Sequence, residues 1–205
     1  ASKLDSTPAG ESDVLILDFG GGGIYRMIPN QAAAADEAFP RRLSETGLFK
    51  DLQSMEPSAG VAAYQPKATM YRGGAVRSRV IGLPGQERVG RNYPVGTVLA
   101  NTLSRDVVLD DGSVAQRKVE TQVLLFDGLN WDPYTYRWDP EQTDASLVEA
   151  SGDRMELVVP DKVAGKRTIE HVFASRAQCN TCHHVFNQGP LTLKADNLWG
   201  KDAPD

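Results

Sequence analysis

The stretch Val107-Val108-Leu109-Asp110-Asp111-Gly112, followed after Ser113–Arg117 by Lys118-Val119-Glu120-Thr121-Gln122-Val123-Leu124-Leu125-Phe126, decides the fold. Its apolar opening runs into Asp-Asp-Gly, a turn signal: aspartate bonds its own backbone two residues on, and glycine accepts positive φ at no steric cost. Beyond the turn, residues 118–123 alternate polar and apolar, the side-chain period of a strand. The closing Leu124-Leu125-Phe126 is continuously apolar, as a buried strand end would be. Two strands joined by a tight turn predict an antiparallel hairpin.

Working outward, the same texture recurs. Val80-Ile81-Gly82-Leu83-Pro84-Gly85 and Tyr93-Pro94-Val95-Gly96-Thr97-Val98-Leu99 are short β-like runs punctuated by Pro and Gly, and Tyr134–Trp138, Ala145–Val148, Met155–Val159 and Thr168–Phe173 are further strand candidates. The expected class is mainly β (α+β), with an antiparallel sheet of five or more strands and a few short helices. Ahead of it, Val14-Leu15-Ile16-Leu17 reads as a strand ending in the glycines Gly20 to Gly23. The alanine-rich stretch Gln31–Glu37, and Pro40 to Leu52 with Leu43, Leu48 and Leu52 at helix-like spacing, predict a short helix or two. Residues 1–12 read as a disordered arm and 13–205 as a single domain. Ala174–Val185 has no β-pattern and predicts a helical turn near the C-terminus.

The chain has 205 residues, is 40% hydrophobic and 24% charged, and carries a net charge of −5. That balance is ordinary for a globular protein, and its sign argues against a nucleic-acid partner, which needs a basic surface. No apolar run approaches the roughly 20 residues that cross a bilayer, so no membrane span is expected. The polar N-terminus lacks an initiator Met and reads as the product of signal-peptide cleavage or of trimming.

Both cysteines fall in Cys179-Asn180-Thr181-Cys182-His183, the haem c attachment pattern. The spacing has a physical reason. Two residues wound as a helical turn bring both sulfurs over adjacent vinyl-bearing edges of the porphyrin, and the next residue projects its imidazole under the iron. The expectation is one covalent haem c, with thioethers at Cys179 and Cys182 and His183 as the proximal iron ligand. Attachment of this kind occurs outside the cytoplasm, so the motif implies a periplasmic or otherwise exported protein. Two other readings compete. A thioredoxin-like Cys-x-x-Cys would follow a strand and open a long helix, not close a β-rich chain. A zinc site could use Cys179, Cys182, His183 or His184, and His171, but structural zinc sites normally draw a second ligand pair from a separate knuckle.

Several segments together resemble a bacterial family of exported haem-motif proteins of largely unassigned function. They are Phe39-Pro40-Arg41-Arg42-Leu43-Ser44-Glu45-Thr46-Gly47-Leu48-Phe49, Tyr64-Gln65-Pro66, Gly73–Arg79, Leu83-Pro84, Tyr93–Leu99, Val119-Glu120-Thr121, Tyr134–Trp138, Thr143-Asp144-Ala145 and Ser175–Cys179. More loosely, a Pro-x-Gly-Thr-Val strand, a hairpin sheet and a C-terminal Cys-x-x-Cys-His are similar to the cytochrome P-460 and cytochrome c′-beta superfamily. That resemblance implies an antiparallel β fold with a haem c whose open or weakly held distal face binds small molecules such as nitric oxide or oxidises hydroxylamine. Cytochrome P-460 members also crosslink a lysine to the haem. The corresponding stretch here, Leu99-Ala100-Asn101-Thr102, holds no lysine, a departure that puts the crosslink and hydroxylamine oxidation in doubt.

The group opposite His183 would set the chemistry: methionine favours electron transfer, a second histidine lowers the potential, and an empty face admits ligands. Met155, Met70 and His171 are the distal candidates, each with a competing reading as a core or pocket residue. Arg176, three residues before Cys179, and Arg79, with Arg77, are candidates to pair with haem propionates. The run Asp18-Phe19-Gly20-Gly21-Gly22-Gly23 lacks the spaced glycines of a nucleotide loop. The function expected is a periplasmic mono-haem c-type cytochrome passing single electrons to or from a partner protein. The alternative is a haem enzyme or small-ligand protein of the cytochrome P-460 or c′-beta kind, taking a diatomic or nitrogenous ligand.

Overall fold

A computed structural model of the chain describes residues 15–18, 23–26, 39–66, 74–85, 93–181 and 183. The chain divides into two compact units, Ala1–Phe39 and Pro40–Asp205. In the first, strands β1 (Leu15–Asp18) and β2 (Gly23–Arg26) form an antiparallel pair. The expected arm at 1–12, the glycines 20–22 and the alanine-rich stretch 31–37 lie outside the described residues.

The second unit is mainly β. Its centre is a six-stranded antiparallel meander in which sequence neighbours are sheet neighbours: β5 (Val61–Ala63), β6 (Val76–Gly82), β7 (Val98–Val108), β8 (Val114–Phe126), β9 (Trp131–Trp138) and β10 (Ala145–Leu147). The Asp110-Asp111-Gly112 turn joins β7 to β8 as its composition predicts. Leu109 closes it by donating to Ser113 O at 2.8 Å, and Gly112 takes φ +83°, the left-handed position that a three-residue hairpin loop needs. Tyr93–Thr97, read as part of a strand, is instead the turn that feeds β7: Thr97 caps it through Pro94 O.

The stretch from Pro40 to Leu52 departs further from expectation. One 3-10 turn, Leu43–Thr46, stands where the leucine spacing suggested longer helix, and strand β3 (Phe49–Asp51) follows, paired with β4 (Glu56–Pro57). Gly47 at φ +70° stops the helix. Leu43, Leu48, Phe49 and Leu52 are all buried, so the spacing recorded burial and not helical periodicity.

The meander's two faces differ. One carries Val80, Ala100, Thr102, Thr121, Val123, Tyr134 and Tyr136, all buried. Tyr136 fixes the Pro40 segment to this side by donating to Pro40 O at 2.8 Å. Inside it, Trp138 Nε1 donates to Thr121 Oγ1 at 2.9 Å and Thr121 bonds Thr102 at 2.8 Å, so the buried hydroxyls are satisfied.

The other face receives a long hairpin, β11 (Asp153–Asp161) with β12 (Gly165–Phe173). Val119 packs with Leu157, Val159 and Phe173 there, with Met155 and Ile169 alongside. The pairing of β7 with β8 shifts at Leu103/Ser104, where Leu103 opposes Glu120 and Ser104 opposes Lys118. This bulge lets two successive residues serve the hairpin: Val119 joins its apolar cluster, while Glu120 bonds His171 of β12.

Candidate functional site

Beyond the hairpin contact, the same face of the meander holds a cleft. The register stacks three rows across it. The first, Ile81-Leu99-Leu124-Pro133, is apolar. The second, Arg79-Asn101-Gln122-Thr135, is polar throughout. The third runs Arg77-Leu103-Glu120-Arg137. Tyr64, Leu99 and Leu124 belong to an aromatic-rich cluster built on Trp131. Trp131 meets Tyr93 edge-on at 5.1 Å and Phe126 at 5.0 Å. One wall is therefore apolar, and the adjoining floor is cationic and amide-bearing.

The helical turn predicted near the C-terminus closes the other side. Helix α1 (Arg176–Asn180) starts with a capping box: Ser175 Oγ accepts from Gln178 N, and Gln178 Oε1 accepts from Ser175 N at 2.9 Å. Thr181 keeps helical dihedrals, and its hydroxyl donates to Ala177 O at 3.1 Å. Arg176 straps the helix to β9, its Nε donating to Pro133 O at 3.1 Å and its guanidinium lying 4.7 Å from the Tyr134 ring centre. From below, Arg176 N donates to Ala150 O. Gly152 passes so close that a β-carbon there would stand 2.5 Å from Phe173 O and 2.9 Å from Ser175 N.

This anchoring brings Cys179 and His183 into one cleft of about 170 Å³, continuous with solvent, together with Arg77, Arg79, Asn101 and Gln122. Cys182 falls outside the described residues, as do Met70 and His184. Of the other sequence-predicted residues, Arg79 lines the cleft and is 8% exposed. Arg176 holds the helix and is not in the lining. Met155 and His171 face each other across the β11–β12 ladder, outside the lining. His171 is engaged there by Glu120, with Nε2 to Oε2 at 3.0 Å, and lies edge-on to Phe173 at 4.8 Å.

No family model, curated protein or solved structure matches the chain. The resemblance noted in the sequence therefore rests on its motifs, and the site is judged on its own chemistry.

On that basis the residues fit a haem. A flat macrocycle with an apolar body and two carboxylates needs an apolar wall beside a cationic floor, and the rows supply that segregation. Two buried polar atoms in the lining, Arg77 Nε and Asn101 Oδ1, have no hydrogen-bond partner among the described residues, and buried orphans of this kind mark where a ligand or water completes the bonding. Arg77 or Arg79 would pair with carboxylates, Cys179 and Cys182 would carry the thioethers, and His183 would hold the iron.

Sequence reasoning missed Glu120, Gln122 and Asn101 as part of the site. Their signal was present but ambiguous: polar residues at alternate positions of a strand read as a solvent face, and here Asn101 and Gln122 line a cleft while Glu120 is buried against His171.

Proposed function

We propose that this is an exported mono-haem c-type cytochrome. Haem c is bound covalently through Cys179 and Cys182 with His183 as the proximal ligand, and the protein passes single electrons to and from a partner. The observation that carries the reading is the convergence of Cys179 and His183 on a cleft whose apolar wall and arginine floor match the two halves of the cofactor. When bound, the haem supplies a one-electron couple. The chain's own residues do the rest. Tyr64, Leu99 and Leu124 keep water from one side, Arg77 and Arg79 offset carboxylate charge, and the α1 capping box with the Arg176 strap holds the attachment turn rigid against the sheet. The cleft is open to solvent, so a partner protein would be able to approach the bound group there. Among the described residues, no helix is long and apolar enough to cross a membrane.

A second reading is favoured by one specific observation. Two of the three distal candidates, Met155 and His171, pack in the β11–β12 hairpin and not in the cleft lining. A cofactor held from one side would expose its other face to small ligands, as the resemblance to cytochrome P-460 and c′-beta implies. Absorption spectra of oxidised and reduced protein, with and without carbon monoxide, test both readings. A low-spin ferrous spectrum indifferent to carbon monoxide supports the electron carrier, and a carbon monoxide shift supports the open face. A colourless protein, or one whose colour leaves in acid-acetone, defeats both.

A further inference from the structure

A hydrogen-bonded chain leads from the hairpin into the cleft. His171 Nε2 bonds Glu120 Oε2 at 3.0 Å, Gln122 Nε2 donates to Glu120 Oε1 at 3.0 Å, and Asn101 Nδ2 donates to Gln122 Oε1 at 3.0 Å. The chain has a direction. As a carboxylate, Glu120 only accepts, so Gln122 must turn its amide nitrogen toward it. That leaves Gln122 Oε1 toward Asn101, which must then present its own nitrogen. Asn101 Oδ1 is what remains, buried, without a partner among the described residues and in the cleft lining. Orientation of a side-chain amide is usually ambiguous. Here the carboxylate two links away decides it.

We propose that Asn101 is a specificity-determining residue of the cleft: it presents a hydrogen-bond acceptor to a small molecule entering beside the cofactor, and so selects ligands that carry an N–H or O–H donor over acceptor-only or apolar ones. Glu120 and Gln122 are positioning residues that hold its polarity. His171 anchors the chain at 7% exposure, with Glu120 at 2%, which keeps competing water from reversing the amides. This inference deepens the second reading above and rests on it. A donor-bearing ligand gains the bond that Asn101 lacks. A ligand without a donor leaves a buried acceptor unsatisfied, which is the stronger means of discrimination.

The test is equilibrium titration of the haem-loaded, exported protein with imidazole and with pyridine, followed by absorption. The two are ring-nitrogen ligands of similar size, and imidazole alone carries an N–H. We expect Asn101→Val to weaken imidazole about tenfold, as the loss of one hydrogen bond does, and to leave pyridine within about twofold. Asn101→Ala removes the same acceptor without adding bulk and is expected to show the same split, imidazole weakened and pyridine within about twofold; this variant decides the matter should Asn101→Val not fold. The proposal is overturned if both ligands weaken together, if neither responds, or if neither binds the parent protein. Failure of the haem reading looks different: the parent is colourless before any ligand is added.

Discussion

Glu120 and His171 form a buried pair, Oε2 to Nε2 at 3.0 Å, with side chains 3% and 8% exposed, tying the central meander to the β11–β12 hairpin. Removing one member leaves a buried polar group unsatisfied, which costs more than the pair contributes. We expect His171→Leu to destabilise the second unit by about 3 kcal/mol. The double change Glu120→Leu with His171→Leu is expected to regain more than half of that, since an apolar pair leaves no orphan. Urea titrations of the single and double variants, compared as a cycle, measure both numbers.

The backbone beneath α1 sets a second expectation. Gly152 takes φ +83°, and its missing side chain is where Phe173 O and Ser175 N pass. Gly152→Ala must therefore open the junction that anchors the capping box. A loss of about 2–4 kcal/mol follows from a left-handed backbone position combined with steric displacement of the main chain. Thermal melting reads the stability. Loss of structure starting at Ser175–Cys179 in hydrogen exchange would locate it.

Acid should loosen the Pro40 segment. Asp144 accepts from Ser44 N at 3.1 Å, Ser44 Oγ at 2.7 Å and Arg42 Nε at 3.0 Å. Burial, the largest single influence, pushes its carboxyl up. The hydrogen bonds from Ser44, Ala145 and Arg42 together outweigh burial and hold it below the ordinary 3.8. A carboxyl depressed in the folded state adds stability above its unfolded value, and that stability is lost as pH falls through the folded one. We expect the protein to weaken below about pH 4. Asp144→Asn should flatten this slope and cost about 2 kcal/mol at neutral pH. Denaturation midpoints against pH check the sign.

The strands were legible because alternation and turn chemistry are local: Asp110-Asp111-Gly112 specifies its hairpin whatever surrounds it. The 3-10 turn at Leu43–Thr46 was not, because leucines separated by helix-like intervals bury equally well along a turn followed by a strand, and only Gly47's left-handed geometry separates the two. The Cys179-Asn180-Thr181-Cys182-His183 run stands out in the sequence as a pattern of residue types. What lies across the cleft from it was not legible, because the rows Arg79-Asn101-Gln122 and Arg77-Leu103-Glu120 are assembled by inter-strand register from segments far apart in the chain. The bulge opposite Glu120 that hands this carboxylate to His171 is likewise a property of the pairing, with no mark in either strand alone.

The proposed covalent attachment sets an expectation for both cysteines. With Cys179→Ala or Cys182→Ala one thioether is lost, and with both changed we expect any haem to leave the polypeptide in acid-acetone. The fold should survive, since Cys179 belongs to no core cluster among the described residues. Circular dichroism of the double variant checks that second point.

The intact mass of the exported, matured protein bears most directly on the central claim. The expected result is the polypeptide plus one haem, retained under denaturing conditions and absent from the Cys179→Ala, Cys182→Ala double variant. A mass equal to the bare polypeptide, from cells that attach haem to other proteins normally, would contradict it.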